Sequence, residues 1–372
     1  MKAVAVFPTE KRFEVIDHPE PSLTGPDEVK MKVLEVGVCG TDKEIAAFEY
    51  GWPPDGSQYL ILGHESLTQV VDVGKNVKGV KPGDLVVPTV RRPCGDPGCA
   101  PCKGGRQDFC STFKFTERGI NHRHGFMSEY IVEDAQYLNP VPAELLDAAV
   151  LVEPLTIAEK GVAQMWDVQK RLPWTFENKP DGRPSGKGLN ALILGGGPVG
   201  LLGAMKFVLE GFTTYVYSRT PPGADIESVV KGFGAHYIHA ENTGIDDLNK
   251  VIGSIDVVYE AVGLSSLAYN VMRFLGSNGA FIFTGVPALH GPAPVDVDSI
   301  MRDHVLKNRV TFGTVNCNIG GFKEAIADIG EFKKRWPNAL KSIISQRVPI
   351  DKVHEPLQGK AAGIKTIISI AQ

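Results

Sequence analysis

"ALILGGGPVGLLGAMKFVLE" (residues 191–210) sets Gly195-x-Gly197-x-x-Gly200 directly after an apolar run and directly before an amphipathic one. The first glycine permits a tight strand-to-helix turn and the second lets backbone amides approach a pyrophosphate. The third lets the helix pack on the strand, so the helix N-terminus faces the anion. Pro198 and Val199 complete the loop. Outward from it, apolar runs alternate with helical stretches: "TTYVYS", "IESVVKGFG", "DVVYEAVG", "LAYNVMRFLG" and "AFIFTGV". That alternation predicts βαβ units on a doubly wound parallel sheet, an α/β dinucleotide-binding domain.

At the end of the second strand, about 20 residues on, an NAD-preferring site carries Asp or Glu for the ribose 2′-hydroxyl. Here "YVYSRT" supplies Ser218, Arg219 and Thr220 instead. An arginine with hydroxyls suits a 2′-phosphate through charge-assisted hydrogen bonds, so NADP is the expected cofactor and NAD the secondary one.

The region before about residue 165 reads differently. Short alternating runs such as "VKMKVLEVGVCG", "LTQVVDVG" and "MSEYIVEDAQYLNPV", broken by Gly and Pro, predict a β-barrel-like domain. Between the two patterns lies "VQKRLPWTFENKPDGRPSGKGLN" (168–190), polar and rich in Pro, Gly and Lys, which reads as a linker. At 372 residues the chain is long enough for two domains. A net charge of −4 offers no basic field for nucleic acid or anionic lipid, and no apolar run reaches the length of a membrane span. A cytoplasmic location is expected.

Four of the six cysteines, Cys94, Cys99, Cys102 and Cys110, fall within seventeen residues, set among Pro, Gly and charged residues. Four thiolates close a tetrahedral zinc site without an open position, so this cluster is expected to brace a lobe that lacks its own core. A second set is scattered: Cys39 in "GVCGTDKE", His64 in "LILGHES" and Glu153 in "LVEPLTIAEK". One thiolate, one imidazole and one carboxylate leave a fourth zinc position for water or substrate. Taken singly these residues also fit a small buried hydrophobe, a satisfied core histidine and a solvated helix charge. Spacing alone does not assemble them.

A resemblance does. The motifs "GVCGTD", "GHE", the four cysteines and "GGGPVG", in this order, resemble the zinc-dependent medium-chain dehydrogenases/reductases over nearly the whole chain. The segments "CGTDKEI", "RRPCG", "GRQDFC", "RGINHRHGFMSEY", "EPLTIAEK" and "VQKRLPW" are similar to the archaeal-type glucose dehydrogenases, which also act on other aldoses. The resemblance implies a GroES-like β-barrel catalytic domain (1–188 and 315–372, with a zinc lobe at about 91–112) and a Rossmann domain (189–314). It implies Cys39 and His64 as catalytic zinc ligands, Glu153 as a further ligand or sugar contact, and Glu65 as a ligand in an alternative state. Thr41 then meets the substrate oxygen, while Glu117 in "KFTERG" and Asn316 in "GTVNCN" meet sugar hydroxyls.

The implied activity is oxidation of an aldose such as D-glucose at C1 to the aldonolactone, with two zinc ions per chain and a homotetrameric assembly. Two departures stand out. The first two lobe cysteines have four residues between them rather than two, through "GDPG", and Glu44 stands where many alcohol dehydrogenases place a histidine. Two other readings are a zinc-dependent polyol or alcohol dehydrogenase, and a noncatalytic NADP-binding sensor or structural protein.

Overall fold

The computed structural model describes residues 1–219, 225–288, 291–359 and 363–370. Contacts divide the chain into two compact units, Met1–Thr156 with Asn316–Glu331 and Ile344–Gln372, and Ile157–Val315 with Phe332–Ile343.

In the second unit six strands lie in the order His236–His239, Thr213–Ser218, Asn190–Leu194, Ile255–Glu260, Leu275–Phe283 and Val310–Gly313. Every neighbouring pair is parallel. This is the 3-2-1-4-5-6 order of a dinucleotide-binding sheet, with its switch point beside Asn190–Leu194. The central strands read as continuous Leu, Ile and Val because helices cover both faces, and Leu192, Ile193, Leu194, Val257 and Val258 are fully buried. The glycine loop enters the helix Pro198–Leu209, with Gly197 at its N-cap and Pro198 in the first position. A Cβ on Gly200 would stand 2.2 Å from the Gly195 carbonyl oxygen, so only glycine lets the helix start this close to the strand.

The stretch 168–190 is not the linker its composition predicts. Trp174 is buried, its ring centroid 5.6 Å from Trp166 and 6.3 Å from Phe212. Lys179 donates to Glu210 at 2.7 Å, and the Gly186 amide donates to the Glu210 carbonyl at 2.9 Å. One aromatic anchor and one buried carboxylate turn a polar segment into part of the second unit. For the same reason the division by contacts falls at 156/157, inside the helix Val152–Gln169, and not at 188/189. Residues 332–343 also join the second unit, where Trp336 lies 6.2 Å from Phe233.

The first unit is built mostly on antiparallel strands, with Ile344–Pro349 and Lys365–Ser369 a parallel pair. One sheet runs Leu138–Val141, Leu85–Pro88, Glu65–Val73, Glu28–Gly37, Lys365–Ser369 and Ile344–Pro349, with Tyr130–Asp134 also paired to Glu28–Gly37. The strand Glu28–Gly37 alternates buried and half-buried positions, the signature of a sheet with one face in the core. Ile367 pairs with Gly37, so the C-terminal strand returns to the first unit. A small sheet of Arg91–Arg92, Thr116–Arg118 and His122–Arg123 flanks the cysteine-rich connection.

Candidate active site and metal centres

The helix Gly40–Ala46 is only seven residues long, and its N-cap is Cys39. Asp42, at the third helical position, reaches back so that Oδ2 accepts the Cys39 amide at 2.9 Å, which fixes the backbone that presents the thiol. The other oxygen of Asp42 accepts the Gly63 amide at 3.2 Å and lies 3.5 Å from His64 Nδ1. One fully buried carboxylate therefore ties "GVCGTD" to "GHE". With Nδ1 turned to Asp42, the imidazole has its second nitrogen to offer a metal. The Thr41 hydroxyl lies 3.9 Å from the Cys39 sulfur.

Cys39, His64 and Glu65 bring one donor atom each within 4.8 Å of one another. Glu153, the carboxylate that the sequence set beside them, stands outside that group of three. Glu65 forms a buried ion pair with Lys365, whose ammonium also donates to the Val38 carbonyl at 2.9 Å. A Cβ on Gly37 would meet the Glu65 carboxylate at 2.1 Å, so the absent side chain makes room for this pair. Burial disfavours the His64 cation, but Asp42 and then Cys39 outweigh it and hold the imidazole pKa well above its ordinary value. Burial raises the Glu153 carboxyl to about 8, against the pull of His64. Without metal the site thus retains protons that a dication would displace. A thiol, an imidazole and one carboxylate gathered around one point fit zinc with an open position.

The four lobe sulfurs also lie within 4.8 Å of one another, Cys94 included, and all four cysteines are free thiols. The two additional residues loop out: the Cys99 amide donates to the Asp96 carbonyl at 3.0 Å and the Gly98 amide to the Asp96 carboxylate at 2.8 Å. Cys99 and Cys110 sulfurs are 3.9 Å apart. Tetrahedral zinc with bonds of about 2.3 Å separates its sulfurs by about 3.8 Å, so the geometry fits the ion. Hydrogen bonding, first from the Ser111 hydroxyl, lowers the Cys99 thiol to about 6, while burial raises Cys102 to about 12.

Glu117 and Asn316, 199 residues apart, meet: Asn316 Nδ2 lies 3.4 Å from Glu117 Oε1. Both are buried, and Asn316 Oδ1 has no partner among the described residues. In the second unit a Cβ on Gly196 would lie 3.0 Å from the Ser218 hydroxyl, which places that residue beside the glycine loop, and Arg219 is exposed. Thr220 lies outside the described residues.

Sequence reasoning missed Asp42, Lys365 and Glu260. Glu260 accepts the Val262 and Gly263 amides at 2.8 and 2.7 Å, bracing the turn that packs against Gly195. Asp42 had a legible signal, its place three residues after the N-cap. The other two had none.

Residues 146–370 match the family described as the glucose dehydrogenase C-terminus, and residues 25–143 match the alcohol dehydrogenase GroES-like domain. The chain is 36% identical over 374 residues to the glucose 1-dehydrogenase of Methanocella arvoryzae, covering 100% of this chain and 99% of that one. It is 37% identical over 376 residues to the glucose 1-dehydrogenase of Thermoproteus tenax, with the same coverage. The fold superposes with a TM-score of 0.88 on Haloferax mediterranei glucose dehydrogenase in complex with NADP, Zn and gluconolactone, at 30% identity over 100% of both chains.

Proposed function

We propose that this chain, which belongs to the glucose dehydrogenase family of the zinc-dependent medium-chain dehydrogenases/reductases, oxidises an aldose such as D-glucose at C1 to the aldonolactone with NADP as acceptor. The observation that carries the reading is the meeting of Glu117 and Asn316 in a buried polar pair. A sugar needs several convergent polar partners, whereas a simple alcohol needs apolar walls.

Cys39 and His64 would hold a zinc ion that would supply a Lewis acid for the C1 hydroxyl, and the glycine loop would hold NADP, whose nicotinamide would supply the hydride acceptor. The chain's own residues do the rest. Asp42 holds the Cys39 backbone by a hydrogen bond and faces the His64 ring with its charge. Thr41 stands beside the Cys39 sulfur, where its hydroxyl takes the substrate proton outward. Glu65 is held by Lys365, so any use of it as a ligand competes with that ion pair. Glu153 is the nearby carboxyl available as a further ligand or sugar contact. The four lobe cysteines hold the second zinc. Gly195, Gly197 and Gly200, with Pro198 and Val199, present the amides for the pyrophosphate, and Ser218, Arg219 and Thr220 favour the 2′-phosphate.

Steady-state rates with glucose, galactose, xylose, sorbitol and ethanol, each with NADP and NAD, test the reading. Turnover of the aldoses is expected, and turnover of ethanol or sorbitol alone overturns it. A homotetramer in the cytoplasm is part of the proposal, supported by the family resemblance; sedimentation velocity checks the assembly. Among the described residues no helix is long and apolar enough to cross a membrane.

A further inference from the structure

Arg91 and Glu117 face each other across two antiparallel strands, Arg91–Arg92 and Thr116–Arg118. Both side chains are at least nine-tenths buried. Arg91 Nε donates to Glu117 Oε1 at 2.9 Å, and its guanidinium carbon lies 3.7 Å from the centre of the Phe115 ring. Asn316 Nδ2 approaches the same Oε1 at 3.4 Å. Two donors therefore converge on one oxygen of Glu117, and no hydrogen bond from a described residue reaches Oε2. A carboxylate with one oxygen clamped presents the other as an acceptor in a fixed direction.

The connection between these two strands is residues 93–115, the segment that carries the four lobe cysteines. Strands of two and three residues joined by so long a loop have little to hold their register. The four converging sulfurs gather that loop into a compact lobe. The lobe also packs onto Arg91, whose guanidinium points at the Asp108 carbonyl at 3.5 Å.

We infer that Arg91 is a positioning residue for sugar recognition: it fixes the Glu117 carboxylate so that Oε2 accepts a hydrogen bond from a substrate hydroxyl. The inference rests on the aldose reading. Removing Arg91 leaves a buried carboxylate without its cation and without the bond that clamps Oε1, so nothing holds Oε2 in its direction. Lysine retains the charge but loses the fork and the stacking on Phe115.

The test uses Arg91→Gln, Arg91→Lys, Glu117→Gln and the double variant Arg91→Gln/Glu117→Gln. Glucose dissociation constants come from calorimetry on the NADPH-loaded protein, which cannot oxidise the sugar, and KM and kcat from steady-state rates on glucose and its singly deoxygenated analogues. Arg91→Gln is expected to weaken glucose by about tenfold or more, the scale of a charge-assisted hydrogen bond, with kcat changing less than KM. The double variant should be no weaker than Glu117→Gln alone. Both single glutamine variants should stop discriminating against the same deoxy sugar, and Arg91→Lys should fall between wild type and Arg91→Gln. Arg91→Lys also carries the test if Arg91→Gln does not fold. A lowered melting temperature with unchanged glucose affinity, or additive losses in the double variant, overturns the inference. If the wild type turns over no aldose, the parent reading fails and takes this one with it. Aldose turnover in the wild type with unaltered affinity in both Arg91 variants defeats this inference alone.

Discussion

The four-cysteine lobe and the Cys39–His64–Glu65 group each hold their donor atoms within 4.8 Å, yet they are made of different material. In the lobe every donor is a thiol, supported by the hydroxyls of Ser111 and Thr112 at 3.5 and 3.4 Å. In the other group one sulfur sits with an imidazole and a carboxylate, and Asp42 and Lys365 stand behind them as buried charges. Four equivalent thiolates saturate a tetrahedral ion, whereas three unlike donors leave a place open and carry unlike charges that need counter-charges of their own. On the proposed function the lobe acts through shape and the second group through chemistry.

The sharpest way to break that comparison is to remove one sulfur from each cluster. Cys39→Ala should lower kcat by roughly 10³-fold or more, because the proposed function has this residue hold the Lewis acid, while the melting temperature changes little. Zinc content by elemental analysis should fall from two per chain to one. Cys102→Ser should do the reverse. Losing a metal-centred brace is among the few single changes that cost about 3–5 kcal/mol, read as a lower urea midpoint with kcat largely kept in the folded fraction. If Cys102→Ser abolished turnover in folded protein and Cys39→Ala spared it, the two roles would have to be exchanged.

A smaller effect separates the ligands from what aims them. Asp42→Asn retains size and the bond accepted from the Cys39 amide, but it removes the charge facing His64 and sets an NH2 group where the Gly63 amide was accepted. Loss of such a partner typically costs 10- to 100-fold in metal affinity, and zinc competition with a chromogenic chelator should show a loss of about that size at the catalytic site alone. An unchanged affinity would mean that the capping bond to the Cys39 amide, which asparagine also makes, is all that Asp42 contributes.

The glycine loop, the four cysteines and the β-to-βαβ change of rhythm were legible because each is written in contiguous residues with a fixed period or spacing. Lys365 was not, since its partner Glu65 lies 300 positions earlier and an isolated lysine reads as solvated surface. Arg91 stands in "RRPCG" with nothing in the sequence to say what it faces, and only the cross-strand register reveals that. The segment 168–190 misled for a related reason. Composition averages over twenty residues, whereas one buried Trp174 and one ion pair decide where the chain packs. Glu65 and Glu153 exchanged prominence because spacing carries no information on which carboxylate a strand or a helix turns toward the sulfur.

The smallest expected effect concerns Glu153 in protein stripped of metal. Its carboxyl titrates near 4.5 when exposed and is raised to about 8 here, chiefly by burial. Between those values the folded state retains a proton that the unfolded state has lost, so this group contributes stability at low pH that fades as pH rises. His64 acts in the same sense, but its share begins only above its ordinary 6.5, so from about pH 4.5 to 6.5 the contribution of Glu153 stands apart. Urea unfolding of the metal-free wild type and Glu153→Gln across that window should show the wild type losing up to about 1.4 kcal/mol per pH unit relative to the variant, the limit for one proton. Parallel curves would mean that Glu153 is already ionised in the empty site. Its charge would then be matched by Lys365 or His64, and the carboxylate would be ready to bind zinc without first giving up a proton.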